Sequence, residues 1–354
     1  MNILDDVSAI KKLDASNMLG SIEALGAQME QMWAQHKNFK LPANYKKIKN
    51  VVVAGMGGSA LPAHVLKSLS EINLSVPLEI ISDYNLPGYA NANTLVILSS
   101  YSGSTEEPVA LAKQAIKRKC KIVVVATGKN FAKMHESGTP GIIFDPKYNP
   151  CGSPRMGLGY QFIGLFLIFQ AVGLLKFTLK DFNTALAQVK KSTHAWGVGA
   201  SANAIKKIAA QLPNRAVLFF AADHLKGNAH VAANQMNENS KRLTAPFYIS
   251  ELNHHLMEGL RFPSANRNNL LVVIFNSKLY SPKIQERVNI TKTVIEKNKV
   301  PLATVNLTAS TKLEQIFEAL VASSFLGFYG SMLEGIDPTP IPYVDYFKEQ
   351  LAKK

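Results

Sequence analysis

Along this chain, short unbroken apolar runs alternate with stretches whose apolar residues recur every three or four positions. The first half carries the runs NVVVAG (50–55), LEII (78–81), LVIL (95–98), KIVVVAT (121–127) and GIIF (141–144). The second half carries AVLFFAA (216–222), LLVVIF (270–275) and LATVNL (302–307). Strands that are apolar throughout, rather than alternating, belong to parallel sheets covered on both faces. Helical periodicity follows many of them, over 61–69, 106–119, 228–239, 282–298 and 313–333. Two or three helices are expected between the halves, roughly over 156–212, including an apolar one within 162–175. The pattern predicts an α/β protein: two doubly wound parallel-sheet domains joined by a helical segment. The expected outline is an N-terminal helical segment (1–45), a first domain (46–154), connecting helices (155–212) and a second domain with a C-terminal helix (213–354).

Composition narrows the class. With 354 residues, 47% apolar and 18% charged, the chain has ample material for a core. No unbroken apolar run reaches the roughly 18 residues that span a membrane. The nearest, 162–175, is short and holds Gln170, so it reads as a buried helix. The start, MNILDDVSAI, lacks a basic region followed by an apolar one, so no export signal is expected. Cys120 and Cys151 have neither CxxC spacing nor a nearby histidine cluster, which fits free thiols in a cytoplasmic protein and no metal site. The net charge of +14 favours anionic partners. Its lysines are dispersed, without a helix-turn-helix, RNP or zinc-finger pattern, so a solvated basic surface is expected and neither nucleic acid nor a membrane.

Two turns follow strands where α/β sheets bind ligands, at the carboxyl edge. AGMGGSA (54–60) offers Gly55, Gly57 and Gly58, with Ala60 in the third position of a dinucleotide fingerprint. The acid wanted about 20 residues on is Glu79 or Asp83, and neither makes a good match. LSSYSGSTEEP (98–108) is richer in hydroxyls. Ser100, Ser102 and Thr105 are spaced to surround one phosphate as the chain turns into a helix, whose free N–H groups add to the cradle. The rival reading is a helix cap, with Ser104 and Glu107 as a capping box. Two such turns in one domain favour the phosphate.

GMGGSA together with SSYSGSTEEP resembles the sugar isomerase (SIS) domain, which binds phosphosugars. NENSK (237–241), ELNHHLMEG (251–259) and DPTPIPYVDYFK (337–348) extend the resemblance to the bifunctional phosphoglucose/phosphomannose isomerases, a two-SIS branch of the phosphoglucose isomerase superfamily. It runs from Val51 to Lys348 and implies two flavodoxin-like SIS domains. It also implies an aldose–ketose isomerase that interconverts glucose 6-phosphate, and mannose 6-phosphate, with fructose 6-phosphate through a cis-enediol. Glu238, in the N-E-N motif, would be the base. His254 and Lys348 would open the sugar ring, with His255 as the neighbouring rival of His254. Arg155 in SPRMG would stabilise the enediolate, for which a planar fork of donors suits better than a lysine. Ser59, Ser100, Ser102 and Thr105 would hold the phosphate, with backbone help from Gly58. The family needs no cofactor or metal, and its histidine comes from the neighbouring subunit, which implies a homodimer. Bifunctional members have Thr before a Pro in the last motif. Thr339 and Ile341 both precede a proline here, so the mannose activity is open. The alternatives are a non-catalytic phosphosugar sensor or a SIS enzyme for another phosphosugar, such as an aminosugar.

Overall fold

A computed structural model describes residues 3–70 and 74–353, so Met1, Asn2 and Lys354 of the outlined end segments lie outside the described residues. The first sheet contains β1 (Asn50–Ala54), β2 (Leu78–Ile81), β3 (Thr94–Ser99), β4 (Lys121–Ala126) and β5 (Gly141–Ile143), all parallel, in the order β2-β1-β3-β4-β5. The second contains β6 (Ala216–Ala221), β7 (Thr244–Tyr248), β8 (Leu270–Ser277) and β9 (Leu302–Leu307), also parallel, in the order β7-β6-β8-β9. Each expected strand is present. The unexpected one, β7, is an edge strand that contains Pro246 and is mostly half-buried. An edge position tolerates a proline and needs no continuous apolar run, so β7 carries little strand signal.

The helices are α1 (Val7–Leu13), α2 (Met18–Glu23), α3 (Leu25–His36), α4 (Leu61–Ser70), α5 (Glu106–Lys117), α6 (Lys129–Glu136), α7 (Leu158–Val172), α8 (Leu179–Trp196), α9 (Ala204–Ala209), α10 (Lys226–Asn239), α11 (Leu252–Gly259), α12 (Asn266–Asn269), α13 (Pro282–Lys297), α14 (Lys312–Leu333) and α15 (Pro342–Ala352). Three of them, α7, α8 and α9, fill the expected segment between the sheets. The apolar α7 is buried on nearly every side, and its Phe162 and Phe166 rings pack on Phe317 of α14. By length and mean hydropathy α14 is a helix that could cross a membrane, although no unbroken apolar run in it signalled this. Its apolar window is 94% buried within the fold. Its buried Glu318 accepts hydrogen bonds from the Thr308 and Ala309 N–H groups and the Thr308 hydroxyl, which meets the cost of burying a carboxylate.

Connections leave β1 and β3 in opposite directions, so a crevice opens above their carboxyl ends. The two turns singled out in the sequence follow these two strands. Helix α4, which follows the first turn, packs on α10 of the second half. A Cβ on Gly227 would lie 2.4 Å from the His64 carbonyl oxygen, so only glycine permits this approach. The Gly227 N–H also donates to Ser68 Oγ at 2.8 Å.

Candidate active site

The two turns are bonded to each other. Ser99 Oγ donates to the Ser59 carbonyl, and the Tyr101 N–H donates to Ser59 Oγ, each at 2.8 Å. Ser59 Oγ is an acceptor in that bond, which leaves its own hydrogen free to donate. Ser100 Oγ and Thr105 Oγ1 lie 2.9 Å apart, and the Gly103 N–H donates to Ser100 Oγ at 3.1 Å. Ser102 Oγ and Ser104 Oγ are 3.2 Å apart. The Ser104–Glu107 capping box does not form. Helix α5 begins at Glu106 with Thr105 at the N-cap, one residue too late for Ser104, whose hydroxyl turns to Ser102 instead. The Thr105 hydroxyl does not cap the helix either, so the first-turn N–H groups are left without that acceptor. Gly103 has φ +71°, and a Cβ there would fall 1.8 Å from the Gly128 carbonyl oxygen.

Gly58 does not fit the dinucleotide reading. A Cβ at Gly58 would lie 2.7 Å from Arg155 N and 2.9 Å from Pro154 C. The protein's own chain occupies the space that such a glycine would leave for a pyrophosphate. The same contact brings the hydroxyl turns to Arg155.

Arg155 is 2% exposed and spends its fork on four acceptors. Nε donates to Asn239 Oδ1 at 2.6 Å and Nη1 to Glu238 Oε2 at 3.1 Å. Nη2 donates to the carbonyls of Pro338 at 3.1 Å and Thr339 at 2.9 Å. Burial pulls its pKa below the ordinary value, and the Glu238 carboxylate, with smaller help from Cys151 and Asp345, opposes this. Glu238 lies near the end of α10 with its side chain 26% exposed, so the carboxylate is paired yet open to a ligand.

Thr339 also adjoins this cluster. Its N–H donates to Asp337 Oδ1 at 2.9 Å, while its buried Oγ1 has no hydrogen-bond partner. Ile341, by contrast, stands at the head of α15. Of the two positions the sequence left open, Thr339 is the one bonded to Arg155.

His254 and Lys348 stand apart. Among the described residues no hydrogen bond or ion pair joins either to Glu238 or Arg155. His254 lines a surface groove of about 300 Å³ with Asn253, Met257, Lys283, Arg287 and Ile290. His255 instead faces the Phe247 ring. Lys348 is exposed on α15, a helix that buries none of its own residues.

Several supporting residues carried no sequence signal. Gln28, from the N-terminal segment, is fully buried. Its amide donates to the carbonyls of Tyr148 and Met156 at 3.0 Å, and its oxygen accepts the Gly159 N–H at 3.0 Å. It thus clamps both sides of the loop that carries Arg155. Gln235, one turn before Asn239 on α10, donates to the Arg155 carbonyl at 3.3 Å. Asn239 could have been found, since it closes the N-E-N motif. Among the described residues, no three His, Cys, Asp or Glu side chains converge as metal ligands.

Residues 201–351 match the model of the bacterial phospho-glucose isomerase C-terminal SIS domain. A bifunctional phosphoglucose/phosphomannose isomerase from Caldicellulosiruptor bescii is 27% identical over 95% of this chain and 99% of its own length. Its counterpart from Thermoplasma volcanium is 26% identical over 89% of this chain and 94% of its own. The crystal structure of glucosamine-6-phosphate deaminase from Thermotoga maritima superposes with a TM-score of 0.69 over 92% of this chain and 97% of that one, at 14% identity. That likeness concerns the fold alone. From end to end, in its motifs and in its paired parallel sheets, the chain is similar to the bifunctional phosphoglucose/phosphomannose isomerases.

Proposed function

We propose that the protein is an aldose–ketose isomerase that interconverts glucose 6-phosphate and mannose 6-phosphate with fructose 6-phosphate, as a cytoplasmic homodimer. The observation that carries this reading is the Glu238–Arg155 pair, built against Gly58 of the hydroxyl-rich turns. In the proposed reaction the phosphate lies on Ser59, Ser100, Ser102 and Thr105 at the start of α5. Glu238 takes the proton from C2 of the open aldose and returns it to C1, while a proton moves from O2 to O1 through the cis-enediol. Arg155 faces the developing negative charge; its charge and fork are already oriented, so little reorganisation is needed. The partner-free Thr339 hydroxyl supports contact with a sugar hydroxyl and so favours the bifunctional reading.

Ring opening is assigned to His254 and Lys348. Among the described residues no hydrogen bond or ion pair joins His254 to the Glu238 cluster, which supports a composite site, with this histidine supplied by the second copy. Helix α15 supports the same reading, because it leaves Tyr343, Tyr346 and Phe347 exposed beside Lys348. The test is a coupled assay on fructose 6-phosphate with chelator present, reading glucose 6-phosphate and mannose 6-phosphate separately. Both products are expected. Glucose 6-phosphate alone would remove Thr339 from the specificity argument, and binding without either product would favour a sensor.

A further inference from the structure

We propose that Lys241 is a positioning residue of this site, whose ammonium locks the end of the base-bearing helix to the loop that carries Thr339. The inference rests on the reading of Glu238 as the base. Helix α10 ends at Asn239, and Lys241 follows in the left-handed region at φ +52°, an uncommon conformation for lysine. The side chain folds back over the helix end. Its Nζ donates to the carbonyls of Glu238 at 2.6 Å, Asn239 at 3.3 Å and Pro338 at 3.0 Å. The first two belong to the last turn of α10, where carbonyls lack helical partners and a cation is favoured by the helix dipole. The third also accepts from Arg155 Nη2, so the ammonium and the guanidinium share one carbonyl. Glu238's backbone, Arg155's fork and the 337–339 loop are therefore held as one unit.

The hydroxyl turn after β3 makes no hydrogen bond to Lys241 among the described residues. Loss of the clamp should consequently disturb the geometry of proton transfer more than the hold on phosphate. Arg155, Glu238 and Asp337 are the charged groups that face the ammonium, with Asp345 beyond Arg155. Burial and Arg155 hold the Lys241 ammonium down at about 8, against Asp337 and Glu238, so the clamp weakens in mild alkali.

The experiment compares wild type, Lys241→Met and Lys241→Arg on fructose 6-phosphate from pH 6 to 9.5, with kcat, KM and thermal midpoints measured separately. Lys241→Met should lower kcat by about 10- to 100-fold, with KM within about twofold and the midpoint lowered by only a few degrees. Lys241→Arg should recover most of kcat and extend the alkaline limb upward, because guanidinium does not titrate there. An unchanged kcat in Lys241→Met overturns the inference, as does equal loss in both variants. If Lys241→Met fails to fold, the alkaline limb of Lys241→Arg decides: an upward extension supports the clamp and an unmoved limb overturns it. Wild-type protein without turnover overturns the isomerase reading and this inference with it, whereas active wild type with an indifferent Lys241 overturns the inference alone.

Discussion

Substituting Gly58 by alanine tests whether the hydroxyl turns and the Glu238–Arg155 pair are held at one fixed separation. Gly58 has a negative φ, so alanine there meets no backbone penalty of its own. The conflict is steric and falls on backbone atoms, with Arg155 N at 2.7 Å, Pro154 C at 2.9 Å and Arg155 Cα at 3.1 Å from the new Cβ. Relief to ordinary contact requires the two chains to part by about 0.7 Å. The Arg155–Glu238 bond, at 3.1 Å, has little room to stretch before it ceases to be a hydrogen bond. Misplacement of reacting groups by ~1 Å costs about 100-fold. A loss of about 10- to 100-fold in kcat is expected, with about 1–3 kcal/mol of destabilisation from overpacking. Gly57→Ala is the control, since Gly57 has φ +46° and no atom within 4 Å of a Cβ. It should cost about 1–2 kcal/mol of backbone strain while leaving kcat within about threefold. Steady-state kinetics on fructose 6-phosphate and urea unfolding of both variants give the comparison. A Gly58→Ala enzyme with wild-type kcat, or equal kcat losses in the two variants, would refute the argument.

Three further outcomes follow from the site and its surroundings. Glu238→Gln should abolish isomerisation while titration calorimetry still detects fructose 6-phosphate, because the amide can keep its bond to Arg155; near-normal turnover would mean another base. Ser100→Ala combined with Thr105→Ala should raise KM more than it lowers kcat, since phosphate contacts are largely the same in ground and transition states; a pure kcat effect would remove these hydroxyls from phosphate binding. His64 of α4 stacks on His230 of α10 with ring centroids 3.9 Å apart. Burial, followed by His230 and Lys67, holds its pKa down at about 3 from an ordinary 6.5. The unfolded chain therefore takes up this proton first, so stability is full above about pH 6.5 and falls as pH drops toward 3. His64→Phe keeps the stack and should reduce the loss of stability at pH 5 by at most about 2 kcal/mol. Equal urea midpoint shifts in both proteins between pH 7.5 and pH 5 would contradict this.

What the sequence determined by itself was the set of elements whose cause is local. Runs such as VVVA, VILS and LLVVIF are short, rich in β-branched residues and bounded by turn residues, which marks them as interior strands, and all were legible. The hydroxyl turn was local in the same sense, whereas the N-E-N motif stood out only through the family resemblance, since by itself Glu238 reads as a polar residue near a helix end. Edge strand β7 was not legible, because its pairing with β6 comes from its neighbour and not from its own composition. Tertiary structure alone decided which distant residues meet. It set Gln28 beneath the Arg155 loop, Gly58 against Arg155 itself, Thr339 rather than Ile341 on the guanidinium, and Lys241 across the end of α10. Each of these contacts joins segments about 90 to 190 positions apart or depends on one carbonyl's direction. Such pairings arise from packing between elements far apart in the chain, and no periodicity along it encodes that distance.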